Sequence, residues 1–402
     1  MTSALARKFS ARQFAVFLTG FCCFINLYSP QAILPLLSAE FGAGAAEVAT
    51  IVTAGTLAVA LIAPFTGTVA DVLGRKRVIV TAMLMLTIPT VMAAMAPTLH
   101  ALVFWRFVQG LVLPPIFAVT IAYIGEEWPR HEATTAAGVY TSGASLGGFG
   151  GRFMTGIFSD LLGWRWAFVI LAPITLTGAI AVAVLLPREK KFVRSEGLIE
   201  SGRQMLRHFR NPQLIATYAV GFGVLFNFIG TFTFISFRLA AAPYNLSATA
   251  LGMIFIVYLA GSALTPLSGW VVGRFGRRRF MIANIAIWMV GIALTLAGPL
   301  WIILLGLMLC AGCGLLCQAI STGYVTITAQ VGRSSAVGLY VTSFYLGGSF
   351  GGALCAVAWT FGGWPACVAL VLGMLAIMAS IVFFAWARRI PAAPVNAPIE
   401  PP

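Results

Sequence analysis

Charge is what this chain has least of. Only 9% of its 402 residues are charged and 60% are hydrophobic, against about a quarter charged in soluble globular proteins, which excludes a water-exposed domain. Acids are scarcer still, with 11 Asp and Glu against 25 Lys and Arg. The resulting net charge of +14 would suit nucleic acid, but the basic residues stand in short clusters between apolar runs. No continuous basic face forms, and nucleic acid is excluded as a partner. Histidine occurs three times, as His100, His131 and His208, all in expected connectors. That leaves no histidine for an intramembrane metal or catalytic centre, so neither an enzyme nor a cofactor is expected. A glycine-rich loop ending in Lys-Ser/Thr is also missing, which excludes ATP as a direct energy source. The seven cysteines, Cys22, Cys23, Cys310, Cys313, Cys317, Cys355 and Cys367, all lie inside apolar runs and build no extracellular disulfide framework. Cys310, Cys313 and Cys317 share a helix face and are read as small packing residues rather than as a metal site.

What the chain has in quantity is apolar length. At ~20 residues per crossing, twelve spans fit, near residues 13–37, 47–70, 78–96, 100–124, 134–160, 164–186, 214–238, 248–272, 280–298, 300–328, 335–361 and 364–386. The first follows Arg7, Lys8 and Arg12 but exceeds the ~7–15 residues of a signal core, so it is read as a retained span. The connectors alternate in charge. One set holds Arg75, Lys76 and Arg77, Arg130, the basic residues of 187–213, Arg274, Arg277, Arg278 and Arg279, Arg333, Arg388 and Arg389, whereas the other set has no lysine or arginine. The positive-inside rule then places both termini in the cytoplasm, which requires an even number of spans.

The polar connector 187–213 divides the chain into a bundle over 1–186 and a second over 214–390, followed by a proline-rich tail at 391–402 that is expected to be disordered. Within the connector, 197–209 fits both an amphipathic helix on anionic lipid and a solvated linker. The halves repeat one another. Gly138, Tyr140, Gly147, Gly148, Gly151, Gly163 and Trp164 recur 200 positions later as Gly338, Tyr340, Gly347, Gly348, Gly351, Gly363 and Trp364. The expected fold is therefore an all-α membrane protein with twelve transmembrane helices in two pseudo-symmetric six-helix bundles around a central cavity.

Between the second and third spans stands the charged turn Gly67-Thr68-Val69-Ala70-Asp71-Val72-Leu73-Gly74-Arg75-Lys76-Arg77. Its order of glycine, acid, glycine and basic run resembles the signature loop of the major facilitator superfamily. The fourth span, with Arg106, Gln109 and Gly110 on one helix face, is similar to that family's second motif. The glycine-rich run from Gly143 to Arg152 resembles the motif of its antiporter branch, although the usual proline is missing and the glycine spacing is imperfect. The stretch Asn26-Leu27-Tyr28-Ser29-Pro30-Gln31-Ala32-Ile33-Leu34-Pro35 looks like bacterial inner-membrane members that export drugs and metabolites. The resemblance implies alternating access and assigns Gly67, Asp71, Gly74 and Arg75 to a latch across the cytoplasmic face. The second copy of the loop, at 269–279, has Gly273 where the first has Asp71.

Several residues are candidates for the solute site. An arginine within a span costs at least ~2.5 kcal/mol, so Arg106 should face a cavity or a partner, or snorkel to the nearer surface. Arg152 stands at a similar depth and Arg238 at the outer end of the seventh span, together suggesting attraction of an anion. The alternative for Arg152 is a structural pairing with Asp160 or helix carbonyls. Asn26 and Asn227 hold equivalent places in the first and seventh spans, and Tyr28, Gln109, Gln318, Tyr140, Tyr340 and Tyr345 add hydrogen-bonding groups that could bind solute or join helices.

No acid stands at the middle of a span, so proton coupling would fall to Asp71, Glu132, Asp160 or Glu40, or to the solute. The favoured expectation is a monomeric secondary transporter of the bacterial inner membrane, exporting a small amphiphilic metabolite or drug by proton antiport. The alternatives are a carrier of carboxylate-bearing solutes that uses the intramembrane arginines, and a non-transporting receptor or scaffold. The expected partners are the small-molecule solute, protons and membrane lipid.

Overall fold

In lipid no water pairs with the backbone, so a spanning segment must satisfy its own amides, and the helix does so. The computed structural model describes residues 10–189, 206–329 and 333–386, and all their regular elements are helical. They are α1 (Ala11–Leu27), α2 (Leu34–Phe41), α3 (Ala45–Leu73), α4 (Arg75–Ala94), α5 (Leu99–Glu127), α6 (Arg130–Leu162), α7 (Trp164–Leu185), α8 (Pro212–Ala240), α9 (Ala248–Ile254), α10 (Val257–Leu264), α11 (Ser268–Phe275), α12 (Arg277–Leu294), α13 (Leu300–Thr328) and α14 (Arg333–Ala385). The expected amphipathic stretch at 197–209 falls largely outside the described residues, and the tail at 391–402 entirely so.

Twelve crossings follow from these elements. The segment Ser335–Ala385 alone has 51 residues, which is ~76 Å of helix or more than twice a hydrocarbon core. It turns back at Gly362 and Gly363, the latter at φ +61°. In the first half the same corner is Gly163 at φ +92°, and each corner is followed by a buried tryptophan, Trp164 or Trp364. Two spans expected as unbroken helices are interrupted. The first comprises α1, a 3-10 turn at Ser29–Ala32 and α2, because Pro30 and Pro35 each remove an amide donor. The eighth is divided into α9, α10, a 3-10 turn at Thr265–Leu267 holding Pro266, and α11.

The halves are internally joined by the same glycine seam. Carbons added at Gly143, Gly147 and Gly151 of α6 would fall 2.2, 2.3 and 2.4 Å from the carbonyl oxygens of Phe17, Phe21 and Ile25 of α1. In the second half carbons added at Gly347 and Gly351 of α14 would fall 1.9 and 2.3 Å from the carbonyl oxygens of Phe222 and Phe226 of α8. Ser343 takes the first position there and donates to the Tyr218 carbonyl at 2.8 Å. Backbone thus lies directly on backbone, the closeness that small residues allow in lipid.

Contacts between the halves gather in the middle and toward the face opposite the basic turns. Thr56 of α3 bonds Ser349 of α14 at 2.8 Å, and Ser145 of α6 bonds Ser262 of α10 at 3.0 Å. The Asp160 carboxylate at the end of α6 accepts from the Ala248 and Thr249 amides that open α9, at 3.3 and 2.8 Å. At the basic face Arg75 pairs with Asp71 and Glu126, and Tyr324 with Gln213, each within its own half. The described state is one sealed at the face opposite the basic turns.

A methyl group at Gly347 has only backbone to push against, whereas one at Gly338, also in α14, meets nothing within 4 Å. Gly347→Ala should lower the thermal unfolding midpoint in detergent, at a cost of about 1–3 kcal/mol. Gly338→Ala should leave it unchanged or slightly raised. Equal midpoints for the two variants would contradict the seam.

Candidate functional site

Where α1 breaks, its last carbonyls lose their helical partners, and in a bilayer each must find another. Arg106 of α5, only 1% exposed, donates through Nη1 to the Asn26 carbonyl at 2.9 Å and through Nη2 to that of Leu27. Ser29 Oγ also donates to the Asn26 carbonyl, at 3.0 Å. The Gln31 amide takes the Tyr28 carbonyl, and Thr155 of α6 donates to that of Ser29 at 2.6 Å. A guanidinium at a helix C-terminus also answers the negative end of the dipole. Arg106 therefore does not snorkel; it holds the broken helix together.

From Arg106 a polar chain runs through the first half. Nη1 also donates to Gln109 Oε1, Gln109 Nε2 to Thr90 Oγ1 at 2.8 Å, Thr90 Oγ1 to Asn26 Oδ1 at 2.9 Å, and Asn26 Nδ2 to Thr175 Oγ1 at 2.8 Å. Asn227 occupies the equivalent place, 0% exposed, and points at the matching helix pair, with Nδ2 on Met378 Sδ at 3.3 Å. Both asparagines thus face the inside of their own half. Arg238 turns away from the middle, donating to the carbonyls of Thr295, Leu296 and Ala297 beyond α12. Gln318 lies half-buried on α13, its carbonyl accepting from Ser321 and Thr322.

Arg152 of α6 is different. It is 3% exposed, and among the described residues no carboxylate holds it. Nε and Nη2 both donate to Gln31 Oε1, at 2.9 and 2.6 Å, and Nη1 donates to the Gly148 carbonyl at 2.7 Å. Three rings surround its charge: Tyr28 and Phe255 at 4.4 Å from the guanidinium carbon, and Tyr258 at 5.0 Å. Tyr345 stacks on Phe117 at 5.8 Å across the halves. Phe255, Tyr258 and Tyr345 come from the second half, whereas Arg152, Tyr28 and Phe117 come from the first. The site is therefore built at the interface between the bundles.

Gln31 was not among the sequence candidates, and neither were Phe255 and Tyr258. The only signal for Gln31 was a carboxamide between two prolines in an otherwise apolar run.

The acids occupy helix ends. Asp160, a possible partner of Arg152 on spacing alone, binds the start of α9 instead. Glu132 lies beside His131 at 3.5 Å. The Arg165 guanidinium bonded to Glu40 at 2.9 Å holds that carboxyl below its ordinary value, so it stays ionised near neutrality. Asp71 pairs with Arg75 at 3.1 Å inside its own half. Gly74 has φ +91°, which the turn into α4 requires, while a carbon added at Gly67 would meet nothing within 4 Å in this state.

Two outcomes test these assignments. Arg106→Leu strips the Leu27 carbonyl of its arginine donor, at about 1–3 kcal/mol, and leaves the Asn26 carbonyl with Ser29 alone, so folded yield and melting temperature should fall. Arg106→Lys should restore them only in part, because an ammonium lacks the fork. Asp160→Ala removes a cap across the halves of about 0.5–2 kcal/mol. Labelling of a cysteine placed at the opposite face should then quicken by roughly 2- to 30-fold, and an unchanged rate would show that this contact does not hold the seal.

The chain matches the family model described as Major Facilitator Superfamily over residues 16–242 and 220–401. It is 31% identical over 367 residues, 90% of this chain and 87% of the relative, to the inner membrane transport protein YnfM of Escherichia coli. Its fold resembles that of the nucleoside transporter NupG, with a TM-score of 0.77 at 16% identity, covering 93% of this chain and 100% of that one. A bacterial homologue of the lysosomal transporter Spinster, solved in an inward-facing and occupied conformation, gives a TM-score of 0.73 at 16% identity over 94% and 98% of the two chains. With twelve crossings in two repeated bundles and an interface site between them, the chain belongs to the major facilitator superfamily of transporters.

Proposed function

We propose that this transporter exports an amphiphilic organic anion across the bacterial inner membrane. The observation that carries the reading is Arg152, a charge buried between the halves with only carbonyl, carboxamide and ring neighbours. An intramembrane arginine is costly, and here no carboxylate of the described residues offsets it. A solute carboxylate would do so, while the rings of Tyr28, Phe255, Tyr258 and Tyr345 would take an apolar or aromatic body. The basic turns support a cytoplasmic placement of that face, so the described state is one that receives solute from inside the cell.

The proton-antiport drug exporter implied by resemblance finds less support. The acids of the described residues stand at helix ends, and no carboxylate accompanies the site. An anion needs no proton to leave. Moving one negative charge out of a cell that is negative inside gains about 2.3 kcal/mol per 100 mV, or about a 50-fold gradient at equilibrium.

The test is export from proteoliposomes of benzoate against its neutral analogue benzamide, under an imposed potential or an imposed pH gradient. Benzoate export should follow the potential and ignore the pH gradient at constant benzoate concentration. Arg152→Gln should reduce it at least about tenfold, the order of one charge-assisted contact. Export of both solutes at equal rates, or export driven by the pH gradient alone, would overturn the reading.

A further inference from the structure

The Gln31 side chain does two things at once. Its Oε1 accepts both Nε and Nη2 of Arg152, and its Nε2 donates to Thr233 Oγ1 of α8, in the other half, at 3.1 Å. One buried carboxamide therefore joins the unneutralised cation to the seal between the bundles. It stands in the 3-10 turn between α1 and α2, outside the regular hydrogen-bond ladder, where a side chain can swing without breaking a helix. Close by, the same seal includes Gly252 of α9 against the Arg152 carbonyl, and Gly156 of α6 against that of Ala248.

From this arrangement we infer that Gln31 is the relay by which solute binding opens the sealed face. This rests on the organic-anion reading above. A carboxamide oxygen is a neutral acceptor, and hydrogen bonds from a guanidinium to an anionic oxygen are roughly twice as strong as neutral ones. An incoming carboxylate therefore displaces Gln31 from the Nε and Nη2 edge of Arg152. Tyr28 and Tyr258, the half-buried members of the ring set, mark the side from which it arrives. Released from both donors, the Gln31 side chain no longer has a fixed orientation, and the bond to Thr233 is lost with it. Anion and seal compete for one carboxamide, so by reciprocity the solute favours the opened state and the sealed state weakens solute binding. Gln31 is a positioning residue for the conformational step; Arg152 is the group that touches the solute.

The test uses the full-length protein in right-side-out membrane vesicles, with Ala32→Cys as reporter. Ala32 is fully buried beside Gln31, and the seven native cysteines are buried as well. Labelling by an impermeant maleimide should be slow without solute and faster with benzoate, but not with benzamide. Adding Gln31→Leu should make labelling roughly 2- to 10-fold faster without any solute, the worth of one lost hydrogen bond, and should tighten benzoate binding. Gln31→Glu supplies a resident carboxylate that keeps Arg152 and still accepts the Thr233 hydroxyl, so labelling should stay slow and benzoate should have no effect. Thr233→Val cuts the relay from the other side and leaves Arg152–Gln31 intact; it should speed labelling while benzoate affinity changes less than in Gln31→Leu. Wild-type labelling rates in both Gln31→Leu and Thr233→Val, with benzoate still bound, would overturn the relay and spare the anion reading. Failure of the wild type to bind benzoate would instead overturn the anion reading.

Discussion

The interaction on which the rest depends is the pairing of the carbonyls freed where the first span breaks. Two prolines make the break unavoidable, and the bilayer offers no water to fill it. Arg106 must then come from α5 and Thr155 from α6 to receive those oxygens. Their reach fixes how α5 and α6 lie against α1. The 3-10 turn that results presents Gln31 to Arg152 one turn before Thr155 on α6. One buried arginine, by holding the broken helix, thereby sets the surroundings of another.

The halves share packing but not chemistry. The glycine seams of α6 on α1 and of α14 on α8 are near copies, as are the corners at Gly163 and Gly363. Among the described residues the polar chain through Arg106, Gln109, Thr90, Asn26 and Thr175 has no counterpart around Asn227, whose amide nitrogen meets a thioether. The second half supplies rings: Phe228, Phe232, Phe255 and Tyr258 contact one another with centroids 4.7–6.0 Å apart. The first bundle carries the buried guanidinium of Arg152, and the second carries two of the three rings around it.

The fold was legible because bilayer thickness and charge alternation act on long stretches of sequence, and the repeat doubles every signal. The eighth span read as one helix because its interior is apolar whether or not the helix is continuous, and Pro266 alone does not tell a kink from a break. The site was legible only in part. Helix spacing placed Arg106 and Arg152 at similar depths, yet it cannot say which neighbour each meets, since that depends on the rotation of every helix about its axis. Arg106 found carbonyls, Arg238 found another helix end, and Arg152 found a carboxamide. Gln31 was missed because its role comes from a partner 121 positions away, at a register no single-span pattern reveals.

Strong seams within each bundle and weak ones between them are what rocking requires. Inside a half, glycine puts backbone on backbone, and separating those helices would expose main chain that lipid cannot solvate. Between the halves the polar contacts include the Asp160 cap on the Ala248 and Thr249 amides and the side-chain pairs Thr56 with Ser349, Ser145 with Ser262 and Gln31 with Thr233. Interhelical hydrogen bonds of this kind are worth on average ~0.6 kcal/mol in a membrane. A few of them total less than the ~4 kcal/mol of even a millimolar ligand. The hydrogen-bonded part of the seal is therefore of a size that solute binding can reverse, while Gly156 and Gly252 also bring backbone together across it.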